Sequence, residues 1–439
     1  MKIKYIIALL FCSYSIVAQE NLTLEKAISI GLENNYGIKI ADVDIKIAEN
    51  NNTWARAGKT PTVDLQGFFN NNMTKDNNPA SFLQGTFYNG SLGVTANANW
   101  VLYNGGRIAL NKEQLMLAVD QQQLNKETGI HSLFRSIYQN YYEVIFQQEQ
   151  LEVLEQVFAL TKDRLSYEEA KKEYGSSNSY NLIQFQSAVM ADSNSVISQI
   201  QNVETAKRNL FNAMDIAGSA DYIFNERLSI TAEPIDEPKL TALMSEENYT
   251  LKSLQMIATL NQLNTGIAKS ARKPVISVNG SVGFAENGFK FFADDPMTGE
   301  GFPFLDSNRF TGSINANISY NLYDGGVRND DIQSAKLNEE IDQLNILEAK
   351  AELKNQLNIL IDNYDNQIQI LNLTDTQIRL AERNLEITEE RFKAGQVTSL
   401  DFRNVQNQYL NAAFSKVGAI YSLLVTKSEI DFLVGVFEN

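Results

Sequence analysis

The stretch that decides the fold is LYNGGR at residues 102–107, which recurs as LYDGG at residues 322–326. In both copies, alternating apolar and polar residues precede the stretch, and helical spacing follows for about seventy positions. The Gly pair suits a sharp reversal, since Gly adopts positive φ without a Cβ clash. Asn104 and Asp324 are suited to cap a helix that begins there. Each copy is therefore predicted to join a strand to a helix.

The turn belongs to a duplication that runs through the chain. Downstream, identical residues recur 220 positions apart, among them Leu117 and Leu337, Gly175 and Gly395, Ser179 and Ser399, and Gln186 and Gln406. Upstream of the predicted strands the spacing is 213, as for Asn35-Tyr36 and Asn248-Tyr249. Self-similarity at a fixed spacing is typical of repeated structural units. We therefore predict two repeats, residues 19–229 and residues 230–439.

The first residues and the composition restrict the class of protein. Residues 1–18 have the basic start, apolar run and small final residue of a secretory signal peptide. The single cysteine, Cys12, lies in that run, so the mature chain is expected to lack thiol chemistry. With 37 basic and 53 acidic residues, the chain has a formal net charge of −16. This acidic balance argues against nucleic acid as a partner.

Four segments alternate between apolar and uncharged polar residues, which predicts strands with one apolar face. The predicted strands are residues 61–71, 91–103, 274–286 and 309–323. They are longer than is usual for a soluble sheet, and no apolar run long enough for a spanning helix follows the signal. We therefore favour a transmembrane β-barrel over a half-buried soluble sheet. Its interface aromatics would be Trp100, Tyr103, Tyr320 and Tyr323.

The remaining segments are predicted to be helical. The predicted helices are residues 24–57 with a break near 34–35, 105–174, 178–214, 238–271, 325–394 and 399–435. Apolar residues recur at every seventh position, as in Leu357, Tyr364, Leu371, Ile378, Leu385 and Phe392. Lys416 is the one departure from these series. Sevenfold spacing on consecutive helices indicates antiparallel coiled-coil hairpins.

Four strands cannot close a barrel, because the smallest natural barrels need about eight. An open sheet edge in hydrocarbon would leave unpaired N–H and C=O groups, each costing several kcal/mol. Two chains would give eight strands and a filled interior, whereas three would give twelve strands and a lumen. Size favours the trimer. The fold class is thus α+β, with a β-barrel shared between chains and long coiled-coil helices.

This order of elements resembles the TolC family of outer-membrane channels over nearly the whole mature chain. The most specific motif is RFKAGQVTSLDF at residues 391–402, which looks like the periplasmic helix-turn-helix tip of that family. A weaker copy, YGSSNSYN, occupies residues 174–181. The resemblance implies a trimeric twelve-stranded barrel in the outer membrane, continued by an α-helical coiled-coil barrel through the periplasm.

The resemblance also implies partners and site residues. The partners would be outer-membrane lipid, a periplasmic adaptor (membrane fusion) protein and an inner-membrane transporter of RND or ABC type. The aperture at the tip would involve Asp401, Asn181, Gly175 and Gly395. The adaptor would dock on Leu165, Ser177, Ser179, Leu182, Leu385, Thr398, Ser399 and Phe402.

Asp401 has two possible roles. It lies near the start of the returning helix, where a carboxylate can cap free N–H groups. In a trimer, one Asp per chain would also form a ring of three carboxylates, which attracts cations in a confined pore. The first repeat has Asn181 at this position, so such a ring would hold three carboxylates only.

No pattern in the sequence indicates an enzyme or a cofactor site. His131 is the only histidine, so neither a catalytic triad nor a histidine metal cluster is available, and we interpret it as a packing or surface residue. The pair Gly105-Gly106 lacks the further Gly and the Lys of a phosphate-binding loop. The pairs Glu168-Glu169 and Glu389-Glu390 are interpreted as solvated helix faces.

Three functions remain open at this point: an efflux or secretion duct, a structural or adhesive coiled-coil envelope protein, and a soluble periplasmic adaptor. The uncharged polar strand face favours the duct, because the other two classes need no lumen. Within the duct class, the sequence does not distinguish drug efflux from protein secretion.

Overall fold

A computed structural model describes residues 20–80, 84–175, 179–216, 222–294 and 299–436. The predicted signal peptide lies outside these residues. The elements up to the middle of the chain are β1 (Glu20–Asn21), α1 (Leu24–Asn34), α2 (Tyr36–Asn51), β2 (Thr62–Asp76), β3 (Gly85–Asn104), α3 (Arg107–Glu173) and α4 (Ser179–Ala213). The elements that follow are β4 (Tyr222–Ile223), α5 (Glu237–Glu247), α6 (Tyr249–Ser270), β5 (Val275–Phe291), β6 (Leu305–Ser319), α7 (Val327–Lys393) and α8 (Ser399–Val434).

The chain divides into two compact units. The sheet unit comprises residues 41–125 and 250–349, and the helical unit comprises the described residues up to 40, residues 126–249 and the described residues from 350 onward. The long helices α3 and α7, each of 67 residues, contribute to both units. Each unit draws on both sequence repeats, because the duplicated halves pair with each other rather than folding separately.

Four antiparallel strands form the sheet, in the order β2-β3-β5-β6. The central pair β3–β5 joins the two repeats, and β2 and β6 are the edges. At the ends that join the helices, β2, β3 and β5 lie within one residue of the predicted bounds and β6 within four. At the other end all four strands run further than predicted, for instance to Asp76 in β2. The predicted strands stop where the apolar alternation fades, whereas backbone pairing continues through polar residues such as Asn72, which faces Asn89.

A bulge interrupts the predicted alternation of β3 near its end. Val101 faces Ser277 and Tyr103 faces Ile276, so Leu102 has no partner on β5. Tyr103 therefore takes the position on the apolar face that the sequence pattern assigned to Leu102. The last strand was also predicted too long: β6 ends at Ser319, and Tyr320 and Tyr323 lie in the turn that leads to α7.

The two LY(N/D)GG turns are built as predicted. Asn104 Oδ1 accepts a hydrogen bond from the N–H of Ile108 at 3.0 Å, and Asp324 Oδ2 accepts one from the N–H of Arg328 at 3.2 Å. The side chains of Asn104 and Asp324 therefore occupy free donors at the starts of α3 and α7.

Two predicted helices are each divided by an asparagine. Asn35 and Asn248 have ψ angles of 120° and 124°, which end α1 and α5 before the chain re-enters helix as α2 and α6. The break near residues 34–35 was predicted, but its counterpart at Asn248 was not. The helix predicted to reach residue 57 ends at Asn51, because the following residues form a separate turn in which Gly58 has a φ of 91°.

The core of the helical unit surrounds Ile137 and Tyr141 of α3, which are fully buried together with Leu210 of α4. The parallel pair β1–β4 brings Leu22 into this core. The N–H of Leu22 donates to Ile223 O at 3.0 Å, and the hydroxyl of Tyr141 donates to Leu22 O at 3.0 Å.

The sevenfold series behaves as a coiled-coil seam. Leu357, Tyr364, Ile378 and Phe392 are buried, and the intervening members are half-buried. The departure at Lys416 is accommodated by an ion pair, in which its Nζ lies 2.8 Å from Asp375 Oδ1. Seam burial supplies most of the stability of such long helices, because helix propensity alone contributes little.

The duplicated turns provide a matched test of local packing. Gly105 and Gly325 have φ angles of 75° and 74°, so alanine at either position strains the backbone by about 1–2 kcal/mol. A Cβ at Gly105 would overlap the carbonyl oxygen of Ser270, whereas a Cβ at Gly325 would meet nothing within 4 Å. We expect Gly105→Ala to lower the free energy of unfolding by at least about 1 kcal/mol more than Gly325→Ala. Thermal unfolding in detergent, followed by circular dichroism, measures the difference, and equal losses would contradict it.

Candidate functional site

Glycines with left-handed backbone end both long helices, as predicted for the tip. Gly175 and Gly395 have φ angles of 72° and 71°. Their N–H groups donate to Lys172 O and Phe392 O, each at 3.0 Å, which satisfies carbonyls at the helix ends. Ser177, assigned to adaptor docking by the sequence, lies outside the described residues.

A reciprocal capping box begins the returning helix α8. Thr398 is the N-cap, and its hydroxyl accepts from the N–H of Asp401 at 3.2 Å. Asp401 Oδ2 in turn accepts from the N–H and the hydroxyl of Thr398, at 3.1 and 2.7 Å. The hydrogen bonds from the hydroxyl and N–H of Thr398 hold the pKa of Asp401 below its ordinary value. Asp401 is therefore one half of a two-residue cap, with Thr398 in the N-cap position.

The predicted aperture residue Asn181 contacts the other repeat. Its Oδ1 accepts a hydrogen bond from the hydroxyl of Ser399 at 3.1 Å. Ser399 is buried, and Asn181 is half-buried. This contact ties the start of α4 to the start of α8.

An aromatic cluster fills the space behind the tip. Phe185, Phe392 and Phe402 are buried against one another, with ring centroids 5.3 to 6.5 Å apart. Phe402 is 0% exposed and packs against α4, so its assignment to the docking surface is wrong. Ser399 is 4% exposed but lines the groove between α4 and α8, so its assignment stays a prediction. The other described members of the predicted docking set are exposed or half-buried: Leu165, Ser179, Leu182, Leu385 and Thr398.

A buried polar network above the aromatic cluster was not predicted. Asp192 of α4 accepts from the hydroxyl of Thr161 of α3 at 2.6 Å and pairs with both terminal nitrogens of Arg403 of α8. Gln406, which is fully buried, donates to Val157 O at 3.1 Å and to Thr161 Oγ1 at 2.8 Å. The network thus links three helices of the helical unit.

The network left only a weak signal in the sequence. Asp192 and Arg403 are 211 positions apart, on helices from different repeats, and each looks like one more charge on an acidic coiled coil. A polar residue next to a sevenfold apolar series is usually solvent-exposed. Only the packing of α3 against both α4 and α8 buries these side chains.

The interpretation of two glutamate pairs as solvated faces is partly wrong. Glu168 is 2% exposed and lies 3.6 Å from Lys171 Nζ. Glu389 Oε1 is 2.5 Å from Arg164 Nη2 and 2.8 Å from Lys393 Nζ. The hydrogen bond from Lys393 and the guanidinium of Arg164 lower the pKa of Glu389, so it stays ionised in its half-buried position.

One face of the sheet is an exposed apolar band. Its members alternate with polar residues and have exposed fractions of 44 to 84%: Val63, Leu65 and Phe69 on β2, Leu92, Val94 and Trp100 on β3, Val282 and Phe284 on β5, and Phe310, Ile314 and Ile318 on β6. The opposite face is polar, with Asn97 Nδ2 donating to Asp64 Oδ2 at 3.1 Å and the hydroxyls of Ser281 and Ser313 2.8 Å apart. Soluble monomers rarely expose an apolar surface of this kind, so the band indicates a surface that an apolar partner covers.

The four predicted interface aromatics are all exposed on the sheet unit. Trp100 is 44% exposed and its indole N–H donates to Lys59 O at 2.8 Å. Tyr103, Tyr320 and Tyr323 are 39, 52 and 83% exposed. An apolar ring with a satisfied polar tip is the usual composition of a membrane interface.

Across the described residues, the helices do not offer a segment that is both long enough and apolar enough to cross a membrane.

Comparison with known proteins identifies the family. The family model described as outer membrane efflux protein matches residues 27–215 and 246–436, one match for each repeat. None of the curated proteins matches the chain in sequence.

Solved structures share the fold at low sequence identity. The CmeC outer membrane channel of Campylobacter jejuni is 17% identical, with a TM-score of 0.73 over 94% of this chain and 85% of that one. VceC of Vibrio cholerae is 15% identical, with a TM-score of 0.73 over 94% and 97% of the two chains. The open state of the Neisseria gonorrhoeae MtrE outer membrane channel is 15% identical, with a TM-score of 0.70 over 94% and 89%.

The fold is that of the TolC-like outer-membrane channels, as the sequence resemblance indicated. The chain belongs to the outer membrane efflux protein family. It is an outer-membrane channel protein with a large helical portion in the periplasm. Members of this family are passive channels, so the prediction that the chain is not an enzyme is confirmed.

The contribution of the buried polar network to the free energy of unfolding can be measured with variants. Arg403→Gln would leave Asp192 buried without its cation, and we expect a loss of about 3 kcal/mol in unfolding free energy. The matched control is Lys416→Gln on the same helix, which removes an exposed ion pair and should cost less than about 1 kcal/mol.

The double variant Asp192→Asn, Arg403→Gln should recover part of the loss, because no buried charge remains unpaired. Denaturant unfolding of the four proteins provides the values. Equal effects of Arg403→Gln and Lys416→Gln would show that the network contributes nothing specific.

Proposed function

We propose that three chains close one twelve-stranded barrel and form the exit duct of a tripartite efflux or secretion system. In this proposal the duct is passive, and an inner-membrane transporter of RND or ABC type drives the substrate through it. The observation that carries the proposal is the open four-stranded sheet, whose edges β2 and β6 are each 15 residues long and flank an exposed apolar band. Edges of this length in lipid require strand partners from other chains.

The stagger of the strands supports closure into a barrel. At one end of the sheet β2 extends four residues beyond β6. The last residue of β2, Asp76, pairs with Gly85 of β3. The first residue of β6, Leu305, pairs with Phe289 of β5, which pairs with Asn89 of β3, four positions after Gly85. At the other end β6 extends beyond β2 by a similar amount. An offset of four residues, at a rise of about 3.4 Å per residue, across three strand spacings of about 4.8 Å each corresponds to a strand tilt of about 43°. Barrel strands tilt by roughly 35–45°.

The aromatic residues fit the thickness of a membrane at this tilt. Tyr88 and Trp100 lie on the same face of β3, twelve residues apart. That separation is about 41 Å along the strand and about 30 Å along a barrel axis tilted by about 43°, close to the hydrocarbon thickness. The polar face of Asn, Ser and Thr would then line a water-filled lumen, which twelve strands provide and eight do not.

Disulfide cross-linking tests the number of chains. Gln66→Cys on β2 and Asn315→Cys on β6 lie on the polar face of the two edges, and Asp64→Cys or Asn70→Cys can replace the first to find the register. Oxidised outer membranes of a double variant should yield a ladder that ends at three chains in denaturing gels, and each single variant should yield none. A ladder ending at two chains, or recovery of the protein from the soluble periplasm, would overturn the proposal.

Two grooves near the tip support docking of a periplasmic adaptor. One, of about 280 Å³, lies between α3 and α7 and has Leu160 and Leu385 in its wall and Glu382 and Glu386 among its charges. The other, of about 250 Å³, lies between α4 and α8 beside Ala188 and Leu400. A docking helix packs its apolar face into grooves that present small and apolar residues at helical spacing.

Site-directed cross-linking tests the docking surface. A photoreactive reagent on Ser179→Cys or Thr398→Cys should capture the adaptor, because both residues are exposed at the starts of the two helices, α4 and α8, that form the second groove. The control is Glu237→Cys, an exposed residue at the start of α5. Capture from the control alone would place the adaptor elsewhere.

The two possible roles of Asp401, as a helix cap and as part of a ring of carboxylates, can be distinguished by one substitution. Asp401→Asn keeps an acceptor for Thr398 and removes the charge, so a ring of three carboxylates predicts lower cation selectivity in planar bilayers with unchanged trimer stability. The cap alone predicts unchanged selectivity and lower stability. Because the folded pKa of Asp401 is depressed, its stabilising contribution is present above its unfolded pKa and is lost as the pH falls through the folded value. The stability gap between wild type and variant should therefore close at strongly acidic pH.

A further inference from the structure

A cavity of about 660 Å³ lies within the helical unit, away from the tip. It is bounded by α1, α3, α8 and the segment that follows β4. Among the described residues that line it, three are acidic, namely Glu25, Glu226 and Asp431, and none is basic. Asp431 is paired with Lys427 at 2.5 Å, and Glu25 and Glu226 are exposed. The mouth of the cavity therefore has a net negative charge.

Aromatic side chains of α3 form one wall of this cavity. Phe134, Tyr138 and Tyr142 are spaced four residues apart and share a face of the helix. The rings of Tyr138 and Tyr142 have centroids 4.7 Å apart at an angle of 56°. Burial raises the pKa of both phenols, so they stay neutral and present ring faces that attract cations.

A buried hydroxyl of α8 lines the same cavity. Ser428 is 3% exposed, and its Oγ has no hydrogen-bond partner among the described residues. A buried hydroxyl without a partner costs free energy, and rotation about χ1 of Ser428 can turn it toward a polar group bound in the cavity that this residue lines.

We propose that this cavity binds a small protonated aromatic amine. The ammonium group would donate one hydrogen bond to Ser428 Oγ and face the carboxylates, while the aromatic group packs against Tyr138 and Tyr142. A metal ion does not fit, because no three His, Cys, Asp or Glu side chains of the described residues are placed to share one. The volume is also far larger than an ion needs and matches a small organic ligand.

Calorimetric titration of the full chain in detergent tests the proposal. The probe is 2-phenylethylamine, protonated at neutral pH, and the neutral comparison is 2-phenylethanol, which has nearly the same shape. We expect the amine to bind at least tenfold more tightly than the alcohol, with an affinity that falls as salt is added. Equal affinities, or no binding of the amine, would overturn the proposal.

Variants assign the binding to this cavity. Ser428→Ala should weaken amine binding about tenfold and leave the alcohol almost unaffected, because the lost hydrogen bond involves a charged donor. Glu226→Gln should weaken the amine alone. The control is Ser415→Ala, an exposed serine on the same helix whose hydroxyl donates to Asn411 O at 2.8 Å.

The outcomes separate this site from the proposed duct. Unchanged binding in Ser428→Ala and Glu226→Gln would mean that the amine binds elsewhere, which rejects the site. Thermal unfolding of each variant checks that the helical unit remains folded. The titration needs no transport, so a failed site leaves the cross-linking test of the trimer untouched, and a failed trimer leaves the titration valid.

Discussion

The pairing of backbone N–H and C=O groups at the sheet edges is the constraint on which the rest of this structure depends. The apolar band dictates that the sheet unit meets lipid, and lipid offers no hydrogen bonds to β2 or β6. The proposed trimer meets that condition by sharing the edge strands of each chain with copies of itself. In that proposal, the interface between copies would be made of the strand pairs that each chain leaves open.

In the helical unit a different constraint applies, which is that the long helices must pack in one fixed register. Seam residues such as Leu357 and Tyr364 are fully buried, but apolar packing alone tolerates small shifts of one helix along another. The network of Thr161, Asp192, Arg403 and Gln406 tolerates none, because a slip would leave a buried charge or amide unpaired. Polar side chains therefore set the register of helices whose stability comes from apolar burial.

Much of this architecture could be predicted from the sequence because its signals are periodic. The strand alternation, the sevenfold seams and the duplicated LY(N/D)GG turn each repeat a local rule, and the caps at Asn104 and Asp324 follow from residue type alone. What escaped prediction depends on contacts between distant residues. The Leu102 bulge, the hydrogen bond from Asn248 to Leu433 O, the packing of Phe402 on Phe185 and the pairing of Asp192 with Arg403 involve partners 150 or more residues away. The sequence pattern at those positions is compatible with either outcome.

The two LY(N/D)GG turns are alike in backbone and unlike in surroundings, since Gly105 is packed against Ser270 and Gly325 faces open space. Descent from one ancestral half therefore did not leave two equal constraints. The first glycine of the first turn leaves no room for a Cβ, whereas its counterpart in the second turn can accept a small residue at the cost of backbone strain alone. Mutational drift has more room in the second copy, so new surface chemistry can evolve there while the first copy preserves the geometry of the fold.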